Sequence, residues 1–253
     1  MEYQTIIYET KGPVGILTLN RPECLNAANT AMSRELKNFF QERLEDLETR
    51  VLILTGAGRG FCAGLDMKES MADVPPGGYP PKRAYERQRY FSDIILLMRQ
   101  IPQPIIAAVN GPAAGAGFSF ALASDIRYAA PEAKFSAAYI NIGVGGADLG
   151  SSWLFPRAVG IANAARYLMT GDLFSAEEAL RIGMVQAVFG KDKLMEEALK
   201  LAQIMASKSP LGLRLTKEAL DRNNGGATLE DAIRLEDRNQ ALCISQLTAF
   251  SGK

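Results

Sequence analysis

The sequence predicts an α/β fold in which strand–strand–helix units repeat and build a spiral of parallel sheets. Two short apolar segments, residues 50–55 and 105–109, have the length of buried strands, and each runs into a glycine-rich loop. A short apolar helix is predicted after the second loop, over residues 118–124. Because strands that alternate with helices favour parallel pairing, the repeated order indicates an α/β architecture. A helical region from about residue 191 ends the chain.

The N-terminal elements are predicted to be an antiparallel strand pair and a helix. Residues 5–9 and 14–19 alternate or run apolar, and a Gly-Pro turn separates them. A helix is predicted from Thr30 to about Leu47, because apolar residues recur at helical spacing there. These residues are Met32, Leu36, Phe39, Phe40 and Leu44.

The segment between the two glycine-rich loops is predicted to be a loop followed by a long helix. Residues 72–82 hold four prolines and two glycines, which favour turns over regular structure. The helix is expected over residues 83–99. Its inward-facing side chains are predicted to be Tyr90, Ile94, Ile95 and Met98.

Residues 191–253 are predicted to be a helical oligomerisation region, and residues 1–190 are predicted to form the core. Thr228 begins a Thr-Leu-Glu-Asp capping box at the start of the last helix. The helices are expected over residues 194–207, 210–222 and 228–245. The first carries more apolar residues than a thin tail can bury on one body, which predicts contacts between subunits. They are Leu194, Leu199, Leu201, Ile204 and Met205.

Composition excludes several classes of protein. The 253 residues allow one or two domains, and 47% of them are hydrophobic, which is ample for a core. Lysine plus arginine equals aspartate plus glutamate at 28 each, so no basic surface predicts nucleic-acid binding. No apolar run approaches the roughly 20 residues of a membrane span, and the N-terminus lacks the pattern of a signal peptide. Three widely spaced cysteines fit a cytoplasmic protein with reduced thiols.

The chain contains no histidine, and this removes several kinds of catalysis. Ser119 stands in a Gly-Phe-Ser-Phe-Ala segment that loosely resembles a nucleophile elbow, but a histidine base is missing. Phe120 occupies the position of the last glycine of a dinucleotide-binding motif, and neither loop carries a P-loop lysine. No metal site and no redox cofactor are therefore expected.

The second glycine-rich loop admits two interpretations. A strand that turns through glycines into a helix directs free backbone N–H groups at the space before the helix, where the helix dipole adds partial positive charge. Such a site suits an oxyanion, because its donors are aimed before charge develops. The alternative is a tightly packed strand–helix corner that needs small residues.

Two motifs in this order, RGFCAGLDM and NGPAAGAGFSFALASDIRYA, resemble those of the enoyl-CoA hydratase/isomerase (crotonase) superfamily. The opening VGILTLNRPECLNAANTAM, the stretch LTGDLFSAEEALRIGMVQAVF and the helical C-terminus fit as well, so the resemblance covers nearly the whole chain. It implies the crotonase (ClpP-like) spiral of ββα units with a C-terminal helical trimerisation region. It also implies an acyl-CoA thioester as substrate, no separate cofactor, and an assembly that is either a homotrimer or a hexamer made of two trimers.

The resemblance implies a role for each loop. The N–H of Leu65, before the aspartate of A-G-x-D, and the N–H of Ala116, the sixth residue after the asparagine of N-G, would hold the thioester carbonyl. They would stabilise the enolate that forms when a proton leaves the adjacent carbon. Coenzyme A would lie along residues 23–25 and 63–67, mostly through backbone groups. The residues implied in binding are Cys24, Ala63, Gly64, Leu65, Asp66, Met67, Ala116 and Tyr139.

The two glutamates of hydratases in this family map onto Ser119 and approximately onto Tyr139, neither of which is a carboxylate. Asp148 lies eight residues before Pro156, a spacing similar to that of isomerase members in which an aspartate shuttles the proton. One carboxylate suffices to take a proton from one carbon and return it to another. A helix N-cap is the alternative role for Asp148. The resemblance thus implies isomerisation of an enoyl-CoA double bond, while hydration and a catalytically silent acyl-CoA-binding scaffold stay open.

Overall fold

The computed structural model describes residues 3–72 and 74–247. Its strands are β1 (Ile6–Lys11), β2 (Val14–Leu19), β3 (Val51–Gly56), β4 (Ile105–Val109), β5 (Ala113–Ala114), β6 (Ile126–Ala129), β7 (Lys134–Ser136), β8 (Phe174–Ser175) and β9 (Ala187–Val188). Its helices are α1 (Thr30–Arg43), α2 (Met67–Ala72), α3 (Pro81–Gln100), α4 (Ala116–Ala123), α5 (Ser151–Val159), α6 (Ile161–Thr170), α7 (Ala176–Arg181), α8 (Lys191–Ala206), α9 (Pro210–Asn223) and α10 (Leu229–Leu247). Two 3-10 turns, Pro22–Cys24 and Ile140–Ile142, complete the regular structure of these residues.

The strands form two sheets, and the chain passes repeatedly between them. The larger sheet has the order β1-β2-β3-β4-β6-β9, in which β1 is antiparallel and the other neighbours are parallel. The smaller sheet has the order β5-β7-β8. Both β4–β5 and β6–β7 step from the larger sheet to the smaller one, and α4 joins the two pairs. This arrangement confirms the predicted spiral of strand–strand–helix units.

The larger sheet is buried on both faces, which explains why its parallel strands read as continuous apolar runs. Along β3, Leu52 and Leu54 belong to one core with α1, α3 and α4, whereas Val51 and Ile53 face a second core. The second core is closed by α8 through a stripe made of Leu194, Ala198, Ala202 and Ala206.

The packing of α8 contradicts the argument that its apolar residues are too many to be buried within one chain. Leu194 is 1% exposed, and Leu199, Leu201 and Met205 pack against the same core within one chain. Of the five residues that were expected to exceed the capacity of the tail, Ile204 is the one that is half exposed, at 51%. The inference of subunit contacts from the α8 stripe is therefore wrong, although assembly itself stays a prediction.

Helix α1 also ends earlier than predicted. It stops at Arg43 instead of reaching Leu47, and Leu44 lies at the surface. The four buried apolar residues of its first three turns are those predicted, and Asn29 caps it by accepting a hydrogen bond from Met32 N at 2.9 Å. The helix ends where the apolar periodicity has already been satisfied by packing on α3 and β1.

Helix α9 is fixed to the core by buried charges. Lys217 is 6% exposed, its Nζ lies 3.2 Å from Asp125 Oδ2, and it donates to Gln103 O at 2.8 Å. Asp125 also accepts a hydrogen bond from Ile105 N at 2.7 Å, and its Oδ1 lies 2.8 Å from Arg99 Nη1. Asp125 thereby ties the start of β4 to the segment before β6.

The predicted capping box at Thr228 forms reciprocal hydrogen bonds before α10: Asp231 N donates to Thr228 Oγ1, and Thr228 N donates to Asp231 Oδ2, both at 3.1 Å. Over the described ranges of the chain, none of the helices combines the length and the apolar character that crossing a bilayer requires.

Candidate active site

The two glycine-rich loops meet at the carboxyl ends of β3 and β4. Phe61 N and Cys62 N donate to Pro112 O at 3.1 and 3.0 Å, and Ala114 N donates to Cys62 O at 3.0 Å. These backbone bonds align the segment 61–65 beside β5 and the start of α4. Two loops that lie about fifty residues apart in sequence are thus one structural unit.

Close backbone contact explains the small residues of both motifs. A Cβ on Gly117 would lie 2.0 Å from Cys62 O, and a Cβ on Gly64 would lie 3.1 Å from Ala114 O and 3.8 Å from Ala116 N. Gly64 also has a φ of +108°, which other residues rarely adopt. This close packing agrees with the interpretation as a packed strand–helix corner. The same packing places Leu65 next to Ala116.

Leu65 N and Ala116 N have no acceptor in residues 3–72 and 74–247, whereas the neighbouring amides of Asp66 and Gly115 do. Asp66 N donates to Ala28 O at 2.9 Å, and Gly115 N donates to Ser136 O at 3.1 Å. Ala116 is the first residue of α4, where helix geometry offers no intrahelical acceptor for the N–H. The structure brings together two free donors at the positions that the sequence predicts for an oxyanion hole.

Ser119 and Tyr139 form a chain of buried hydroxyl groups. Tyr139 Oη donates to Gly115 O at 2.7 Å, and Ser119 Oγ lies 2.5 Å from Tyr139 Oη. Because the phenol has a single proton, Ser119 is the donor in the second bond. Burial raises the pKa of Tyr139, and the nearby Asp148 charge adds to this rise, so the phenol stays protonated at neutral pH.

Asp148 lies beside this hydroxyl pair, in the turn that precedes α5. Its carbonyl oxygen is 3.5 Å from Ser119 Oγ and accepts a hydrogen bond from Ser151 N at 2.9 Å. Helix α5 begins at Ser151 with Gly150 at the N-cap, so the alternative role of Asp148 as an N-cap is wrong. Leu149 and Gly150 both have positive φ values, +46° and +78°, and the turn they form separates Asp148 from the helix.

The Asp148 carboxylate is half-buried and has two donors on the same oxygen. Leu149 N donates to Oδ1 at 2.7 Å, and Gln88 Nε2 donates to Oδ1 from α3. Burial raises the pKa of the carboxyl above its ordinary value, and the two hydrogen bonds offset part of that rise. Sequence reasoning missed Gln88, because one polar residue on the exposed face of a charged helix carries no local signal of a contact 60 residues away.

The residues expected to bind coenzyme A lie on two loops that are held side by side. Ala63 N donates to Leu25 O at 2.9 Å, and Arg21 Nη1 pairs with Asp66 Oδ2 at 2.9 Å. The pair gives Asp66 a structural role, so its carboxylate is already occupied. Cys24 is half-buried, and Ala63 and Met67 are exposed, which leaves a surface of backbone and small side chains beside Leu65. Binding of coenzyme A there stays a prediction.

In residues 3–72 and 74–247, no group of three or more cysteine, aspartate or glutamate side chains has the geometry of a metal site.

Comparisons with known proteins place the chain among relatives of one kind. The model of the family described as Enoyl-CoA hydratase/isomerase matches residues 9–252. A Mycobacterium leprae protein named probable enoyl-CoA hydratase echA12 is 41% identical over 236 residues, which are 92% of this chain and 78% of that protein. The 1,2-epoxyphenylacetyl-CoA isomerase of Escherichia coli is 38% identical over 94% of this chain and 89% of its own length. The crystal structure of an enoyl-CoA hydratase from Bacillus anthracis superposes with a TM-score of 0.90 at 31% identity, covering 98% of this chain and 96% of that one.

Proposed function

Because the chain belongs to the enoyl-CoA hydratase/isomerase family and has the crotonase fold, we propose that it is an enzyme that moves the double bond of an enoyl-CoA thioester. In this proposal Leu65 N–H and Ala116 N–H hold the thioester oxygen, and Asp148 transfers the proton. The observation that carries the proposal is the pair of free amides beside the Ser119–Tyr139 pair, where the Asp148 backbone carbonyl lies 3.5 Å from Ser119 Oγ and the Asp148 charge acts on Tyr139.

One carboxylate, that of Asp148, carries out both proton transfers of the proposed reaction. Asp148 Oδ2 takes a proton from an acidic carbon of the acyl chain, and the electron pair moves into the chain toward the thioester oxygen. The two N–H groups stabilise the negative charge that develops there. The protonated Asp148 then returns the proton to a different carbon of the conjugated system, which restores a neutral thioester with a displaced double bond.

The residues of the site support hydration less well than isomerisation. Adding water requires a group to activate the water as well as a group to protonate the acyl chain. The positions where hydratases of the family carry two glutamates hold Ser119 and Tyr139 here, and their hydroxyls are occupied by each other and by Gly115 O. The raised pKa of Tyr139 also argues against a phenolate base. Hydration nevertheless stays the second candidate, because relatives such as the Mycobacterium leprae protein carry the name of a hydratase.

The proposal also covers the substrate, the cofactors, the location and the assembly of the protein. An acyl-CoA is the substrate, and the segment that joins Tyr139 to Asp148 exposes Ile142 and Val144, which could contact the acyl chain. No metal ion or redox cofactor takes part, which the absence of histidine supports. The three free cysteines agree with a cytoplasmic location. Homotrimers or pairs of trimers are the proposed assembly.

The test replaces Asp148 by asparagine, which is nearly isosteric but cannot accept a proton at neutral pH. Turnover should fall about 100- to 10,000-fold, because a positioned acid–base group is lost, while acyl-CoA affinity measured by calorimetry stays near that of the parent. Double-bond migration and water addition are followed separately on a panel of enoyl-CoA substrates, with and without EDTA.

Asp192→Asn makes the same chemical change at an exposed position in the first turn of α8 and serves as the control. Near-full turnover in Asp148→Asn would remove the proposed base. Water addition as the dominant reaction of the parent protein would favour the hydratase, and acyl-CoA binding without any turnover would favour the silent scaffold.

A further inference from the structure

We propose that Gln88 is a positioning residue for the reaction: together with Leu149 N–H it holds Asp148 Oδ1, so that Oδ2 is the oxygen that takes and returns the proton. The inference rests on the acid–base role proposed for Asp148, and it assigns a function to a residue that neither glycine-rich motif contains.

The hydrogen bonds of Asp148 are distributed unevenly. Both donors, Gln88 Nε2 and Leu149 N, reach Oδ1. Oδ2 accepts no hydrogen bond from the described part of the chain. In that part, the buried side-chain nitrogen and oxygen atoms that lack a partner are Arg43 Nε and Gln103 Oε1, so Oδ2 is not a buried atom. Oδ2 is therefore accessible, and a proton is expected to add to it in preference to the oxygen that already accepts two hydrogen bonds.

The contact between α3 and the Asp148 turn is anchored a second time. Ile95 is buried and lies seven residues after Gln88, so both side chains are on the same face of α3. Ile95 Cγ2 would lie 3.5 Å from a Cβ on Gly150. Ile95 of α3 and Leu149 of the turn are both buried in the same core, so α3 is packed against the turn, and this places the exposed Gln88 over the carboxylate.

The groups around Asp148 are almost all neutral. Tyr139 is the titratable side chain that faces it, α4 contributes Ser119, α5 contributes Ser151, and α3 contributes Gln88. Within residues 3–72 and 74–247, no lysine or arginine forms an ion pair with Asp148. A cation would hold the carboxylate firmly in its charged form and weaken it as a base.

An amide solves this problem, because it orients the carboxylate without adding a charge. Its donor favours the charged form only partly, against the effect of burial. Gln88 is thus suited to keep Asp148 both fixed in direction and able to accept a proton from carbon.

The experiment compares Gln88→Ala and the isosteric Gln88→Glu with the parent protein. The pKa of Asp148 is read from its carboxyl carbon by NMR of ¹³C-aspartate-labelled protein, with the signal assigned by its loss in Asp148→Asn. Loss of the amide donor should raise this pKa, and a second carboxyl group in Gln88→Glu should raise it further. The acid limb of the kcat/KM profile should move to higher pH in the same order, and kcat should fall about 10- to 100-fold through misorientation, with KM nearly unchanged.

Arg89→Ala, one residue further along the exposed face of α3, is the matched control and should leave both readouts unchanged. An unchanged Asp148 pKa or an unchanged kcat in both Gln88 variants would overturn the inference. The proposed function fails separately, through an active Asp148→Asn, and the NMR titration does not depend on activity.

Discussion

At Asp148, burial and hydrogen bonding act on one carboxylate in opposite directions. Burial penalises the charged form, and the donors on Oδ1 favour it, with a net rise of the pKa above that of an exposed aspartate. An ionised, half-buried Asp148 therefore costs the folded state free energy at neutral pH. This cost is the thermodynamic counterpart of a carboxylate that is ready to accept a proton.

The cost predicts how stability depends on pH. A raised pKa in the folded state means that folded Asp148 binds more protons than unfolded Asp148, so its contribution to stability is lost as pH rises through the folded pKa. Asp148→Asn does not titrate, and its melting temperature relative to the parent should increase between about pH 4 and pH 7. Thermal unfolding followed by circular dichroism at stepped pH measures this difference. A parent protein that gains stability over the variant as pH rises would contradict the prediction.

The sequence predicts those residues of the candidate site that belong to contiguous motifs. The family resemblance implies Leu65 and Ala116 through the two glycine-rich loops, and it implies Asp148 through the spacing to Pro156. Gln88 could not be predicted, because its contact depends on how α3 packs against a turn 60 residues away. The N-cap alternative for Asp148 failed because Leu149 and Gly150 adopt positive φ values that delay the start of α5.

Among the elements, α4 and the loop after β3 depend most closely on each other. The start of α4 touches Cys62 so closely that no side chain fits at Gly117, and the same contact sets the separation of the two free amides. Stability and site geometry therefore depend on one backbone contact.

Gly117→Ala should lower the stability of the protein and disturb the geometry of the candidate site at the same time. Its Cβ would stand 2.0 Å from Cys62 O, a backbone atom that cannot move without the loop, so a loss of roughly 1–3 kcal/mol in unfolding free energy is expected. The displaced loop should also lower kcat/KM. Urea unfolding and steady-state kinetics measure the two effects. Gly190→Ala, at an ordinary φ with nothing within 4 Å, is the control, and a Gly117→Ala protein as stable as this control would refute the packing argument.

For the helices and strands that the sequence predicts, the type and the order agree with the structure. Several of their ends and outer contacts do not. Apolar periodicity located α1 and α3, because amphipathic helices bury one face. The same periodicity placed α8 among the oligomerisation helices, since a buried stripe and a subunit interface look alike in sequence. The structure distinguishes the two, because the α8 stripe packs on the second face of the sheet, which includes Val51 and Ile53.

For the whole molecule, assembly is predicted to involve the last two helices. Helices α9 and α10 expose large apolar side chains at Leu220, Leu229, Ile233, Leu242 and Ile244. Light scattering at micromolar concentration should give about three or six times the chain mass of 27.4 kDa. Ile233→Glu should lower this mass, because a charge would enter the contact. Ile161→Glu, which is on the exposed surface of α6, should not. A monomeric mass for the parent protein would contradict the prediction.

The position of α8 has a consequence for the newly made chain. The sheet face that includes Val14, Ile53 and Ala108 is complete once β6 has left the ribosome, but α8, which covers it, ends at Ala206. At roughly 5–20 residues per second, synthesis of the intervening segment takes on the order of 4–15 s. Throughout that interval the nascent protein presents a bare apolar sheet to solvent, a surface of the kind that chaperones bind and that aggregates form from.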